Sequence, residues 1–286
     1  MRKLPKPLDE SDKPYVPLDV FKLCISKVTK ADFKARLGSI HVAIQRAGTD
    51  YDTAAEASAL YKEVQHGAVG TVSKTEMVKV YDDMFAKQGR PGRPVYDRII
   101  SVPQHGRCPL CNLGTVKTLD HHLPKTRYPR FSVTPNNLVP SCEWCQSAKR
   151  TGYPTKKEEQ TLHPYFDDFE SIAWLKAGVN QGTPAVFEYE VSVPDGTSDV
   201  TAERLNEHLK AYSLKRLYSS NAASLLSGVR ARLNRLFEAG GSVAVRDHLS
   251  EEANSWNEQF RNSWQGAMYR AASDSNWFCD GGFAEE

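Results

Sequence analysis

An α+β fold, mostly helical around one small irregular module, is what the sequence predicts. Three features carry the prediction. Long stretches with helical apolar spacing flank both ends of the chain. One segment, VFEYEVSV at Val186–Val193, alternates apolar and polar residues as a half-buried strand does. Between them, residues 95–165 are dense in proline and glycine and hold four of the six cysteines.

Residues 15–90 read as helical, most clearly in SKTEMVKVYDDMFAKQG. Ser73 and Glu76 have the spacing of a capping box. Met77, Val80, Tyr81, Met84 and Phe85 then share one helical face, and Gly89 stands where a C-terminal cap belongs. Asp82 and Asp83 fall on the face expected to meet water. GRPGRP, Gly89–Pro94, cannot continue a helix and marks a boundary. Helical spacing returns over residues 202–272, where Leu226, Val229, Leu233, Leu236 and Phe237 share a face and Arg230, Arg232 and Arg235 lie opposite. The expected organisation is a helical region 1–94, a module 95–170 and a mainly helical region 171–286 with a short strand.

The composition is that of an ordinary globular chain: 286 residues, 40% hydrophobic, 25% charged. No run approaches the ~18 apolar residues of a membrane helix. The start, MRKLPKPLDESDKPYVP, lacks the apolar core of a signal peptide, so a cytoplasmic location is expected. Disulfides are then disfavoured and paired cysteines point to metal. CPLC (Cys108, Cys111) and CEWC (Cys142, Cys145) are separated by 30 residues and together supply the four thiolates of a closed, structural zinc site. Such a site has no open position for chemistry; its role is to pin the ends of the segment 112–141 together. Cys24 and Cys279 lack partners in the sequence and are expected as small buried hydrophobes.

Within that segment, TVKTLDHH reads as a short strand and LPKTRYPRFSVTP, with three prolines, as a loop. NNLVPSC brings the chain back, and CEWCQSAKRTGYP reads as a short helix with Ser141 as N-cap and Gly152 near its C-terminal cap. The order is strand, loop, return, helix. Between Thr115 and Lys157 eight basic residues stand against two acidic ones, an excess of six where the whole chain carries +2. A local basic patch of this kind suits a polyanion.

The run C-x-x-C, LDHHLPK, NLVPSCEWC and Lys149 resembles the HNH endonuclease family, and more narrowly bacterial stand-alone members with LDHxLPK and a later HPYF, here His163–Phe166. The motif spans about residues 105–166; a looser resemblance takes in MRKLPKP at the start and WFCDGGF near the end. The resemblance implies a zinc-stabilised ββα-metal module, one catalytic divalent cation (Mg²⁺ or Mn²⁺) and hydrolysis of DNA phosphodiesters. It assigns Asp120 as metal ligand, His121 as general base and Asn137 as the middle asparagine. The third motif position, usually His or Asn, is Gln146, which becomes the second expected metal ligand. Family members often act in restriction or anti-phage defence, frequently beside a partner ATPase.

The residue types suit that chemistry. A histidine titrates near neutral pH and can accept a proton from water. A carboxylate is a hard ligand for a divalent cation, and an asparagine can bridge loop backbone groups. For Asp120 and His121 to approach one phosphate, both must sit where the strand ends, with the second imidazole nitrogen held by a loop carbonyl. Lys125, Arg127, Lys149 and Arg150 are the expected phosphate contacts. His122 is expected as a bystander, and His163 as a packing residue more than a ligand. The rival expectation is a zinc-clamped DNA-binding module without catalysis; RNA cleavage is a weaker third.

Overall fold

The computed structural model describes residues 1–284. Among the described residues helix accounts for about 54%, and the strands form three two-stranded antiparallel sheets, so the fold class is α+β. Two compact units are present: Arg2–Asp168, and Phe169 onward. No described helix is long and apolar enough to cross a membrane.

The first unit opens with α1 (Pro17–Ile25), α2 (Ala31–Ser39) and α3 (His41–Glu56). A small hairpin, β1 (Ala68–Val69) and β2 (Val72–Ser73), precedes α4 (Lys74–Lys79). The capping box at the head of α4 is formed: Ser73 accepts from the Glu76 amide while the Glu76 carboxylate accepts from the Ser73 amide. After Lys79 the helix widens into a π-turn over Val80–Ala86, which still buries Val80, Tyr81 and Phe85. The widening keeps Tyr81 and Phe85 stacked, with ring centres 5.5 Å apart. α5 (Arg93–Ile100) starts inside the glycine–proline boundary, with Gly92 as its N-cap and Pro94 in its first turn.

Then come β3 (Thr118–His121), β4 (Leu138–Ser141) and α6 (Glu143–Lys149). β3 and β4 pair in antiparallel register, Leu119 with Pro140 and His121 with Leu138. Leu119, Val133 and Leu138 enter the same buried cluster as Phe21, Val80 and Phe85. The expected regions 1–94 and 95–170 therefore share one body up to Asp168, because the small sheet has too little apolar area to be a core alone. The long β3–β4 loop is itself anchored: Leu123, Tyr128 and Phe131 pack with Tyr51 and Leu60.

Two local expectations differ from what forms. The N-cap of α6 is Cys142, not Ser141, whose hydroxyl instead donates to the Cys142 carbonyl. The positive φ that ends α6 falls on Arg150 (52°), not Gly152.

The second unit holds the hairpin β5 (Leu175–Asn180) and β6 (Val186–Val191), then α7 (Asp199–Ala211), α8 (Leu214–Gln259) and α9 (Trp264–Asp274). Phe187 and Tyr189 are buried, as the alternation predicts, while β5 lacks a legible pattern. Along α8, Leu226 and Leu233 are buried but Phe237 is exposed, and the helix breaks just beyond it at Gly240–Gly241, where Gly241 has φ 63°.

Candidate metal-clamped active site

The ligand atoms of Cys108, Cys111, Cys142 and Cys145 all lie within 4.8 Å of one another, and all four residues are buried. Cys111 Sγ and Cys142 Sγ are 3.8 Å apart, near the roughly 3.8 Å edge of a tetrahedron with Zn–S bonds of about 2.3 Å. The Gly114 amide donates to Cys111 Sγ at 3.3 Å, as a thiolate next to a metal accepts. A Cβ on Gly114 would lie 2.7 Å from Cys142 Sγ, so only glycine lets the first knuckle close on the second pair. The cluster can hold a structural metal such as zinc.

Its effect is to fix both ends of the strand–loop–strand–helix segment. The chain start adds a second brace. The Arg2 amide donates to the carbonyl of Pro109 in CPLC, and Leu4 donates to Pro164 in HPYF. Tyr165 of HPYF donates to the carbonyl of Leu138, the first residue of β4. MRKLPKP, CPLC and HPYF are thus three parts of one scaffold around β3 and β4.

Asp120 and His121 are the last two residues of β3, paired with Val139 and Leu138. Neighbouring strand residues face opposite sides, and Lys149 bridges them by reaching the Asp120 carboxylate and the His121 carbonyl. The His121 Nε2 is 2.9 Å from the Ser132 carbonyl. A carbonyl can only accept, so Nε2 carries the proton and Nδ1 the lone pair. Tyr81 presses edge-on against the imidazole, ring centres 4.4 Å apart, and donates to the Leu119 carbonyl. Burial, then the charge of Lys125, pushes the His121 pKa down to about 3, so the ring is neutral near neutral pH. Asn137 braces the loop from inside: its Oδ1 accepts from the Leu123 amide at 2.7 Å, and its Nδ2 donates to the carbonyls of Leu123 and Phe131. Replacing Asn137 with alanine leaves these groups buried without partners. The expected cost is about 2–4 kcal/mol, from ~1–3 per unsatisfied group with partial relaxation; an unchanged urea midpoint would show that the loop is held by its apolar anchors alone.

His121 also sets a pH dependence. Its folded pKa lies below the ordinary value of 6.5, so on acidification the unfolded chain takes up the proton first. The stability it contributes is complete above about pH 6.5 and is lost as pH falls toward 3. Acid also strips cysteine-bound metal, so the comparison is with His121→Gln, which shares that loss. The parent should lose more stability than the variant across this window; equal losses in urea melts would contradict the burial effect.

Three expected site residues are placed otherwise. Lys149 does not face solvent: its side chain is 4% exposed, and its Nζ lies 3.1 Å from Asp120 Oδ2 and 2.5 Å from the His121 carbonyl. The reason is register, since one helical turn beyond Gln146 the lysine meets the end of β3. Gln146 itself is exposed and makes no side-chain hydrogen bond to Asp120 among the described residues. Lys125 is tied to Asp82 at 2.5 Å and lies 4.1 Å over the Tyr81 ring, so Asp82 is more than a solvated carboxylate.

Arg127 and Arg150 remain within reach of a ligand. Arg127 lies over the Tyr153 ring and lines a cleft of about 490 Å³ with Lys74, His66, Thr126 and Thr151. Arg150 is exposed, with no side-chain partner among the described residues. His163 has both ring nitrogens engaged, Nε2 with the Tyr51 hydroxyl and Nδ1 with the Tyr165 amide, so it packs. His122 is buried with its ring 4.2 Å from that of His163. Tyr81, the Ser132 carbonyl and Asp82 had no signal in the motif spacing; each reaches the site only through folding.

Compared with known proteins, the chain is 30% identical over 227 residues to protein ea31 of Escherichia phage lambda, covering 74% of this chain and 76% of ea31. The chain belongs to the ea31 family. The ea31 match is longer than either compact unit, so it takes in parts of both. No family model matches the chain, and no solved structure matches it.

Proposed function

We propose that this ea31-family chain is a metal-dependent endonuclease of the HNH type that hydrolyses DNA phosphodiester bonds. The observation that supports it most is the imidazole of His121, fixed through Nε2 to the Ser132 carbonyl and next in sequence to Asp120, at the end of a strand whose flanks carry the four-cysteine cluster. Asp120 is 13% exposed and offers an oxygen to a hard cation. A Mg²⁺ or Mn²⁺ ion bound there supplies charge neutralisation at the scissile phosphate and at the departing 3′ oxygen. The protein's own steps are few. Arg127 and Arg150 hold flanking phosphates, Nδ1 of His121 takes the proton of the attacking water, and Asn137 keeps the loop carbonyl aimed at Nε2.

A base with a pKa near 3 is weak. Burial is the main cause of that weakness; the charges of Lys125 and Lys149 add to it, and an incoming phosphate anion opposes those two charges. Substrate binding then lifts the part of the depression that the two lysines cause.

One observation favours a second reading, a zinc-clamped DNA-binding module without catalysis: the Lys149 ammonium already neutralises Asp120. Supercoiled plasmid incubated with Mg²⁺, Mn²⁺ or EDTA separates the two. Nicking with metal, lost in EDTA and in Asp120→Asn, is expected. Gel shifts without nicking in any metal would make the second reading the right one.

A further inference from the structure

The buried pair of Lys149 and Asp120 points to a device for ordering what binds. Lys149 reaches two oxygens at once, Asp120 Oδ2 and the His121 carbonyl, with its side chain 4% exposed. A buried ammonium needs such partners. The backbone beneath it is fixed. Cys142 caps α6 and Cys145 lies in its first turns, so the metal clamp holds the helix, and Arg150 closes the last turn through its amide to the Gln146 carbonyl. Only the lysine side chain is left to move. Lys125, the nearby cation that also acts on His121, is held by Asp82 and does not compete for Asp120.

The charges then decide the order. Asp120 with Lys149 is neutral, so a divalent ion entering alone meets an ammonium and no net attraction. A phosphodiester brings a negative charge that can draw the ammonium off Asp120, freeing Oδ2 and offsetting the ion's charge. We propose, resting on the endonuclease reading above, that Lys149 is an internal counter-cation that keeps divalent metal off Asp120 until a nucleic-acid phosphate is present. Metal and DNA then bind together, each tightening the other by the same factor. Lys149 is a positioning residue in the resting chain, and on transfer it becomes the phosphate contact that its place in the motif suggests.

The test is Mn²⁺ binding, read by the electron paramagnetic resonance signal of free Mn²⁺, on the full zinc-loaded chain. For the parent, Mn²⁺ affinity should rise by about tenfold or more when duplex oligonucleotide is added. Without DNA, Lys149→Met should bind Mn²⁺ about tenfold more tightly than the parent, Lys149→Arg should stay as weak as the parent, and adding Asp120→Asn to Lys149→Met should remove the gain. A merely structural lysine would not tighten metal binding when removed. Zinc content and circular dichroism report whether Lys149→Met folds; if it does not, Lys149→Gln, which keeps a donor for the His121 carbonyl, takes its place in the same comparison. Every reading with DNA is corrected for the Mn²⁺ that the duplex binds without protein. Asp120-dependent Mn²⁺ binding of equal strength in parent and Lys149→Met, or unchanged by DNA in the parent, overturns the proposal and leaves the nuclease reading standing. No Asp120-dependent binding in any protein, with or without DNA, overturns both.

Discussion

Replacing Cys145 with serine is expected to empty the four-cysteine cluster and open the segment from Cys108 to Lys149. The four ligand atoms lie within 4.8 Å of one another in buried surroundings, a spacing that suits one tetrahedral ion and little else. Structural zinc sites contribute ~10–16 kcal/mol of apparent binding free energy, against the ~5–15 kcal/mol that a whole domain has to lose. The helices need not all melt, because Phe21, Val80 and Phe85 keep a core of their own. The strands are different: β3 and β4 form a two-stranded sheet, joined to that core through Leu119, Val133 and Leu138. Such a pair is marginal in water without outside support. Parent protein should carry about one zinc per chain by mass spectrometry of the metal, and Cys145→Ser close to none. Limited proteolysis should then cut the variant between β3 and α6 while sparing α1–α4. A parent with less than about half a zinc per chain, or a zinc-free variant as protease-resistant as the parent, would remove the clamp from the argument.

The parts of this fold that are legible in the sequence are those in which one local interaction dominates. The capping box of Ser73 and Glu76 and the two C-x-x-C pairs are fixed by spacing alone, and they form as read. The order strand, loop, strand, helix between the cysteines is likewise set by proline and glycine. The rest depends on partners distant in the chain. Nothing in YDDMF says that Tyr81 will meet the His121 ring or that Asp82 will hold Lys125, 43 residues away. The π-turn at Val80–Ala86 keeps the same apolar residues buried, so periodicity does not show it. Lys149 has the clearest lesson. As a basic residue on a short helix it reads as a phosphate contact, and only the packing of α6 on the end of β3 buries it against Asp120. Gln146, one turn earlier, reads as a ligand from its place in the motif but stays exposed.

His121→Ala should abolish DNA cleavage and leave zinc content and DNA binding as they are. The imidazole sits against Tyr81 and hydrogen-bonds one carbonyl, so its loss opens a small cavity without breaking the loop, which Asn137 holds independently through Leu123 and Phe131. The expected cleavage defect is ~10²–10⁴-fold, the usual contribution of a positioned general base. Binding should survive because the half-buried Arg127 and the exposed Arg150 lie outside the change. The comparison needs Asn137→Ala beside it. That variant keeps the imidazole but frees the loop, so it should cut slowly and also melt early, whereas His121→Ala should lose far more activity than stability. Nicking rates under single-turnover conditions, with melting curves on the same preparations, distinguish the two. If His121→Ala nicks plasmid as fast as the parent, His121 is not the base. His122 would not replace it readily, since its ring is buried and packed at a tilt against His163, which is itself bound at both nitrogens. The base would then have to be a group that the phosphate brings with it, and the catalytic reading of the Asp120–His121 pair would fail.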